Sequence, residues 1–122
     1  MEERVFLYSF EKLEVWKEAR QFVKRVYDIT KKYPMHERFC LTNQIRRSAV
    51  SVMANIAEGS SRHSKKDFAH FIRYAFASLT ELLSHFYISY DLNYVSKDDL
   101  TVIRKKSLHI SNQLNALHKS LI

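Results

Sequence analysis

The segment LTVIRKKSLHISNQLNALHKSL, Leu100–Leu121, carries apolar residues at alternating intervals of three and four. The positions that share this spacing are Leu100, Ile103, Ser107, Ile110, Leu114, Leu117 and Leu121, and only Ser107 among them is polar. A repeat of about 3.5 residues is typical of helices that pack side by side with a slight left-handed supercoil. Ser96, followed three residues later by Asp99, has the pattern of a helix N-cap. The segment therefore predicts a bundle helix at about 97–121.

Three earlier segments also show helical spacing of apolar residues, which predicts helices at about 11–32, 36–58 and 65–92. In the second of these, we expect a short turn from Met35 to Phe39 and then a main part that starts at Leu41 or Thr42. Short connections between helices make neighbouring helices antiparallel. We therefore predict an all-α fold with residues 1–122 as a single domain, an up-down-up-down antiparallel four-helix bundle that is left-handed. The third helix is apolar over a wide arc, so we expect it to be the most buried one.

Local signals indicate where these helices begin and end. Pro34 should end the first helix, because the residue before a proline is pushed out of the α region. Gly59 is the only glycine, and it follows the last apolar position of the second helix, where a left-handed residue is favoured. Ser64 with Asp67 repeats the N-cap pattern at the start of the third helix.

The composition limits both fold and location. The 122 residues include one Gly, one Pro and one Cys, so tight β-turns and glycine-rich phosphate loops have little room. A single cysteine, Cys40, excludes an intramolecular disulfide and a multi-thiolate zinc site, and we expect it to be a small buried hydrophobe. We see no signal peptide and no apolar stretch of about 18 residues, so we expect a cytoplasmic protein without a membrane segment.

The sequence offers no recognisable catalytic motif. A di-iron bundle site needs Glu-x-x-His pairs, and none occurs. Glu81 and His85 are one helical turn apart, and we expect them to form a satisfied surface or interface pair rather than a metal site. No serine has a context that would activate it as a nucleophile. We therefore predict that the protein is not an enzyme and needs no metal or cofactor.

Polar residues interrupt the apolar second and third helices. The candidate structural polar network consists of Gln44, Asn55, Glu58, Ser78 and Glu81. Burying such groups is costly unless they are hydrogen-bonded, so a network that fixes helix register or a subunit interface is the favoured interpretation. A binding pocket and, less favoured, a catalytic site are the alternatives.

The formal net charge is +7, and a positive field of this size attracts polyanions. The candidate nucleic-acid-binding residues are Arg46, Arg47, Arg62, Lys65, Lys66 and Arg73 around the second loop, with Arg20 and Lys24 on the first helix. Such side chains would neutralise phosphates without reading bases. The alternative is that they form ordinary solvated faces of soluble helices.

The string QIRRSAVSVMANIAEG, residues 44–59, and its flanks carry a family resemblance. Phe10-x-x-Leu13 precedes it, and Asp67-Phe68 follows it at the start of the third helix. Together these motifs resemble the four-helix-bundle proteins encoded in intervening sequences of bacterial 23S ribosomal RNA genes. The chain is also similar to accessory bundle proteins of diversity-generating retroelements, which hold RNA and a reverse transcriptase on a basic barrel.

The resemblance implies an up-down four-helix bundle that assembles with itself, as a homopentamer. Two functional hypotheses follow. The first is binding of structured RNA or a ribonucleoprotein through the basic surface. The second is a protein–protein interaction or scaffold module, because the many aromatic residues exceed what one bundle can bury. Candidates for that surface are Tyr8, Phe10, Trp16, Phe39, Tyr74 and Tyr94.

Overall fold

The computed structural model of the protein describes residues 7–122. It contains four α-helices: α1 (Glu14–Thr30), α2 (Leu41–Ser60), α3 (Lys65–Asp91) and α4 (Lys97–Leu121). Two 3-10 turns, Ser9–Lys12 and Met35–Glu37, precede α1 and α2. No strand occurs in this part of the chain, so the all-α prediction is confirmed.

Each helix packs against two others in a closed cycle. α1 lies against α2, α2 against α3, α3 against α4, and α4 against α1. Within residues 7–122, the diagonal pairs α1–α3 and α2–α4 have no Cα atoms within 8 Å of each other. Since short segments join consecutive helices, this cycle is that of an up-down-up-down four-helix bundle. The α2–α3 contact is the largest of the four and the α1–α4 contact the smallest.

The core follows the spacing of apolar residues on each helix. On α4, the first five positions of the predicted repeat, from Leu100 to Leu114, are buried, and Leu117 and Leu121 are half-buried near the helix end. Full burial of a large apolar side chain stabilises the folded state by about 1.5–3 kcal/mol, so this row is a main source of stability.

Serine hydroxyls begin the last two helices, as predicted. Ser64 Oγ accepts a hydrogen bond from the backbone N–H of Asp67 at 3.1 Å. Ser96 Oγ accepts one from the N–H of Asp99 at 3.0 Å. Each bond satisfies a donor that the first helical turn leaves free, and such a cap contributes about 1 kcal/mol.

The end of α3 uses an asparagine in the left-handed region. Asn93 has φ of 64°, and its N–H donates to Tyr90 O at 2.9 Å. The N–H of Tyr94 donates to Ser89 O, also at 2.9 Å. These two bonds form a Schellman motif, which satisfies carbonyls of the last helical turn and directs the chain toward α4.

Gly59 does not end α2 in a left-handed conformation, so that prediction was wrong. The helix continues to Ser60, and Gly59 has no positive φ. A Cβ at Gly59 would lie 2.7 Å from Phe71 Cβ and 3.0 Å from Phe68 Cδ1. Glycine is therefore needed for the close approach of α2 and α3, not for a turn.

The predicted bounds of the first two helices also need correction. α1 starts at Glu14 rather than 11, because Leu13 is extended between the 3-10 turn and the helix, and it ends at Thr30. The main part of the second helix starts at Leu41, as predicted, because Cys40, with φ of −119° and ψ of −104°, breaks the helical conformation after the short turn. It ends at Ser60 rather than 58. Cys40 is exposed at this junction, contrary to the expectation of burial.

α3 is less buried than its composition predicted. One row of its apolar residues is buried in the core, and Phe68 and Leu83 pack against that core while partly buried. The exposed apolar residues are Tyr74, Phe76, Tyr87, Ile88 and Tyr90. Among the described helices, none is both long and apolar enough to cross a membrane.

Candidate functional site

A short chain of hydrogen bonds joins α2 to α3 at their crossing. The hydroxyls of Ser51 and Ser78 are 2.9 Å apart. Asn55 Nδ2 donates to Ser51 Oγ at 3.0 Å and to Ser51 O at 2.9 Å. All three residues are half-buried. Asn55 and Ser78 of the candidate network therefore meet through Ser51, a residue outside the predicted set.

The other three candidates for that network lie at the surface. Glu58 pairs with Arg62 at 3.0 Å, one turn further along the chain. Glu81 lies 3.4 Å from His85 Nε2, the surface pair expected from their spacing. Gln44 lines an open groove that Ser78 and Glu81 also line, and its exposed side chain has no described hydrogen bond.

The basic residues around the second loop separate into distinct regions. Arg47 and Arg62 are 15 positions apart along α2 and its end, a distance of about 22 Å at the helical rise. Arg46 and Arg47 thus lie near the start of α2, whereas Arg62, Lys65 and Lys66 lie at the opposite end of the bundle. One continuous basic surface around the loop is therefore not formed.

Arg46 connects the end of α1 to α2. Its Nε donates to Thr30 Oγ1 at 2.9 Å and its Nη2 to Tyr27 O at 3.4 Å. Its guanidinium also lies 4.5 Å from the centre of the Tyr27 ring. A cation at the C-terminal end of a helix interacts favourably with the free carbonyls there. Arg46 therefore has a structural role in addition to its charge.

An open groove of about 570 Å³ lies where α1 ends and α2 begins. We call it the arginine groove, and its main lining residues are Tyr27, Arg38, Phe39, Thr42, Arg46 and Arg47. No Asp or Glu among residues 7–122 lines it. The Arg38 guanidinium lies 5.6 Å from the Phe39 ring centre, and the Phe39 side chain is 84% exposed.

Thr42 is the buried polar residue of the arginine groove. It is 6% exposed, and its Oγ1 has no hydrogen-bond partner among residues 7–122. The groove was not predicted, because Tyr27 and Arg38 belong to segments that only the turn at Met35–Glu37 brings together. The adjacent aromatic and basic residues Arg38-Phe39 were the available sequence signal.

Tyr94 holds this turn against the loop between α3 and α4. Its Oη donates to Glu37 Oε2 at 3.0 Å. This bond to the Glu37 carboxylate raises the pKa of Tyr94 above its ordinary value, with smaller effects from burial and from the carboxylate charge. Because Glu37 directly precedes Arg38, the contact helps to place Arg38 at the edge of the groove.

The remaining candidate basic residues lie on other faces. Lys66 and Arg73 line a groove of about 270 Å³ together with His70 and His118, between α3 and the end of α4. Lys65 is exposed in the first turn of α3. On α1, the Arg20 guanidinium lies 5.7 Å from the Trp16 ring centre, and Lys24 is exposed.

Few of these charges are neutralised by the protein itself. Of the eight candidates, only Arg62 has a carboxylate within 4.0 Å in the described part of the chain. The same residues contain no group of three or more His, Cys, Asp or Glu side chains that could hold a metal ion.

Comparison with known proteins agrees with the fold. A solved structure from Bacteroides thetaiotaomicron, a protein of unknown function from the S23 ribosomal protein family, superposes with a TM-score of 0.79 at 24% identity. The match covers 86% of this chain and 98% of that one, and at this identity it shows the fold alone. No curated protein matches. The similarity to accessory proteins of diversity-generating retroelements stays a prediction. Residues 11–116 match the model of one family and confirm the first resemblance, so the chain belongs to the 23S rRNA-intervening sequence protein family.

Proposed function

We propose that the protein is a non-enzymatic, oligomeric bundle that binds RNA or a ribonucleoprotein through its basic side chains. The observation that carries the proposal is the lack of internal neutralisation. Seven of the eight candidate basic residues have no carboxylate partner among residues 7–122, while the chain as a whole has a charge of +7. Charges that the protein leaves unpaired are available to phosphates.

The arrangement suits contact with a nucleic-acid backbone. The basic residues occur on several faces, mostly at exposed positions, so they can meet phosphates without forming a pocket for one base. Each phosphate contact releases condensed counterions, so the affinity should fall linearly with salt on logarithmic axes. Lys66 and Arg73 line one groove and are the best pair for a test.

The experiment measures binding of a labelled stem-loop RNA by fluorescence anisotropy over a range of salt concentrations. We expect tight binding at low salt and a steep salt dependence. The double variant Lys66→Gln/Arg73→Gln should weaken binding and lower the logarithmic salt slope by about two, one for each lost phosphate contact.

The matched control is Lys17→Gln/Lys31→Gln. It removes the same charge, but these lysines already contact Glu14 and Asp28 at 3.3 Å and 3.4 Å. The control should keep most of the affinity. Equal losses in both double variants would rule out a dedicated contact at Lys66 and Arg73, and binding no stronger than that of a neutral bundle would refute the proposal.

Self-assembly is part of this proposal, with a homopentamer as the expected form. Exposed apolar side chains support it, since monomers rarely leave large apolar areas uncovered. On α3 these include Tyr87 at 44% and Ile88 at 45% exposure, and on α4 Leu108 at 63%. Native mass spectrometry should give five times the chain mass, and a monomer at micromolar concentration would refute self-assembly.

The same exposed side chains favour the second candidate function, a protein-interaction or scaffold module. A partner protein would then cover Tyr87 and Ile88 in place of another copy. Nuclease treatment distinguishes the two candidates. A partner that stays bound after nuclease, and is lost in Tyr87→Ser/Ile88→Ser, supports the scaffold function, whereas a partner released by nuclease supports RNA binding.

A further inference from the structure

We propose that the arginine groove binds one unpaired nucleotide of single-stranded RNA, with its phosphate against Arg38 and Arg47 and its base against Phe39. This inference rests on the proposed RNA-binding function and names the ligand of one site within it. The groove lies open at the junction of α1 and α2 and has a volume of about 570 Å³.

The charge of the groove selects an anion. Arg38, Arg46 and Arg47 line it, and no acidic residue from the described part of the chain does. None of the three arginines has a described ion pair. Arg46 already donates hydrogen bonds to Thr30 Oγ1 and Tyr27 O. Arg38 and Arg47 make no described hydrogen bond, so their guanidinium donors are available. Guanidinium groups match phosphate oxygens in charge and geometry.

The buried hydroxyl of Thr42 is an independent sign of a ligand. Thr42 is 94% buried, since only 6% of it is exposed, and its Oγ1 lacks a hydrogen-bond partner within residues 7–122. An unsatisfied buried polar group costs about 1–3 kcal/mol. The Oγ1 atom faces away from solvent in this rotamer, and rotation about χ1 would bring it into the groove, where it would donate a hydrogen bond to a phosphate oxygen and remove that cost.

The start of α2 adds further donors at the same place. Cys40 is the N-cap residue, and its side chain makes no capping bond, unlike Ser64 and Ser96 of the later helices. The N–H groups of the first turn, which include those of Thr42 and Asn43, therefore have no cap. Thr42 and Asn43 both line the groove. Uncapped N–H groups at a helix start favour a bound anion.

Phe39 provides the contact for a base. Its side chain is 84% exposed at the edge of the groove, which is costly for a large apolar ring without a ligand. Arg38 lies 5.6 Å from the ring centre and can cover one face. A base can stack on the other face. Stacking on an aromatic side chain contributes about 1–3 kcal/mol per base and tolerates any base.

These features together favour a single-stranded nucleotide over the alternatives. The groove is larger than a phosphate ion needs, and a free phosphate would leave Phe39 uncovered. In a duplex the bases are already stacked and cannot reach an aromatic side chain. An unpaired nucleotide supplies both the phosphate and an accessible base.

The test measures binding of labelled oligouridylate to the full-length protein at low salt. Three single variants probe separate contacts: Arg47→Gln, Phe39→Ala and Thr42→Val. We expect Arg47→Gln to weaken binding about tenfold and Thr42→Val about fivefold. Phe39→Ala should weaken it by about fivefold or more. The control is Arg104→Gln, an exposed arginine of α4 with the same charge loss and no described ion pair.

Three further measurements make the test specific. Phe39→Ala should leave binding of a fully paired RNA duplex unchanged, because a duplex offers no base for stacking. Inorganic phosphate should compete with oligouridylate only at much higher concentration. Since Phe39 is 84% exposed, its substitution should not change the urea unfolding midpoint. An unchanged midpoint would exclude unfolding as the cause of weaker RNA binding.

The outcomes separate this inference from the function on which it rests. If the unaltered protein binds RNA but all three groove variants behave like Arg104→Gln, the inference is overturned and the proposed function stands. If it binds no RNA even at low salt, both fail. A lower native mass of Phe39→Ala would also overturn the inference, because the groove would then be a contact between subunits.

Discussion

Gly59 lies so close to Phe71 that a methyl group on its Cα would be 2.7 Å from Phe71 Cβ. Phe71 Cβ cannot move away without its backbone, so α2 and α3 would have to separate at their crossing. We expect Gly59→Ala to destabilise the protein by about 1–3 kcal/mol. Urea unfolding monitored by circular dichroism measures the change.

The loss of stability expected for Gly59→Ala is opposite in sign to the usual effect of this substitution. Inside a helix, replacing glycine by alanine ordinarily stabilises by up to about 1 kcal/mol. Ala54 is exposed on the same helix, so Ala54→Gly reports the propensity difference without a clash. If Gly59→Ala raised the unfolding midpoint, close packing at this position would be disproved.

The hydroxyl of Ser51 should contribute more to stability than that of Ser78. Ser51 Oγ interacts with both Ser78 Oγ and Asn55 Nδ2, whereas Ser78 contacts only Ser51 in the described hydrogen bonds. Each bond contributes about 0.5–1.5 kcal/mol. We expect Ser51→Ala to cost about twice as much as Ser78→Ala, and the double variant to cost no more than Ser51→Ala plus a few tenths. Fully additive losses would show that the two hydroxyls act independently.

Ser107 should be replaceable by alanine with a gain in stability. It occupies a core position of the α4 repeat, is 2% exposed, and its Oγ has no hydrogen-bond partner among residues 7–122. Removing an unsatisfied buried hydroxyl should stabilise the fold by about 1 kcal/mol. Ser111→Ala, at a half-buried position one turn later, should give only the smaller propensity gain. A loss of stability in Ser107→Ala would show that the hydroxyl has a partner in solution.

Ionisation of Tyr33 should make the protein less stable at alkaline pH. Burial raises the pKa of Tyr33 to about 12, and the neighbouring Ser89 hydroxyl offsets only part of this effect. A pKa raised in the folded state gives stability that is complete below the unfolded value, 10.0, and is lost as pH rises toward the folded value. Across this interval the loss should reach about 2–3 kcal/mol.

The control for this pH dependence is Tyr33→Phe, which keeps the buried ring and removes the titrating group. Its free energy of unfolding should vary less between pH 10 and pH 12 than that of the unaltered protein. Identical pH profiles for the two proteins would assign the alkaline loss to other groups.

Features set by neighbouring residues could be predicted from the sequence, whereas those set by contacts between helices could not. The caps at Ser64 and Ser96 depend on a serine and the N–H three residues later, so local spacing was sufficient. The reason for a glycine at position 59 could not be predicted, because it is the close approach of Phe71, which lies on another helix. The same reason explains why Ser51 was missed in the polar network.

The arginine groove shows the same limit. Its parts come from the end of α1, the turn before α2 and the first turns of α2, and no periodic pattern relates these segments. Grouping basic residues by their positions in the sequence placed Arg47 with Arg62, although about 22 Å of helix separates them. The position of Tyr27 beside Arg46 required the packed structure.

The small contact between α1 and α4 has a consequence for the motions of the protein. Partial opening of a fold begins where the fewest interactions must break, so α1 should exchange its amide hydrogens faster than α3. α1 also supplies Tyr27 to the arginine groove, and Arg46 joins it to α2. A ligand in the groove would therefore oppose this opening and slow exchange along α1, far from the atoms that it touches.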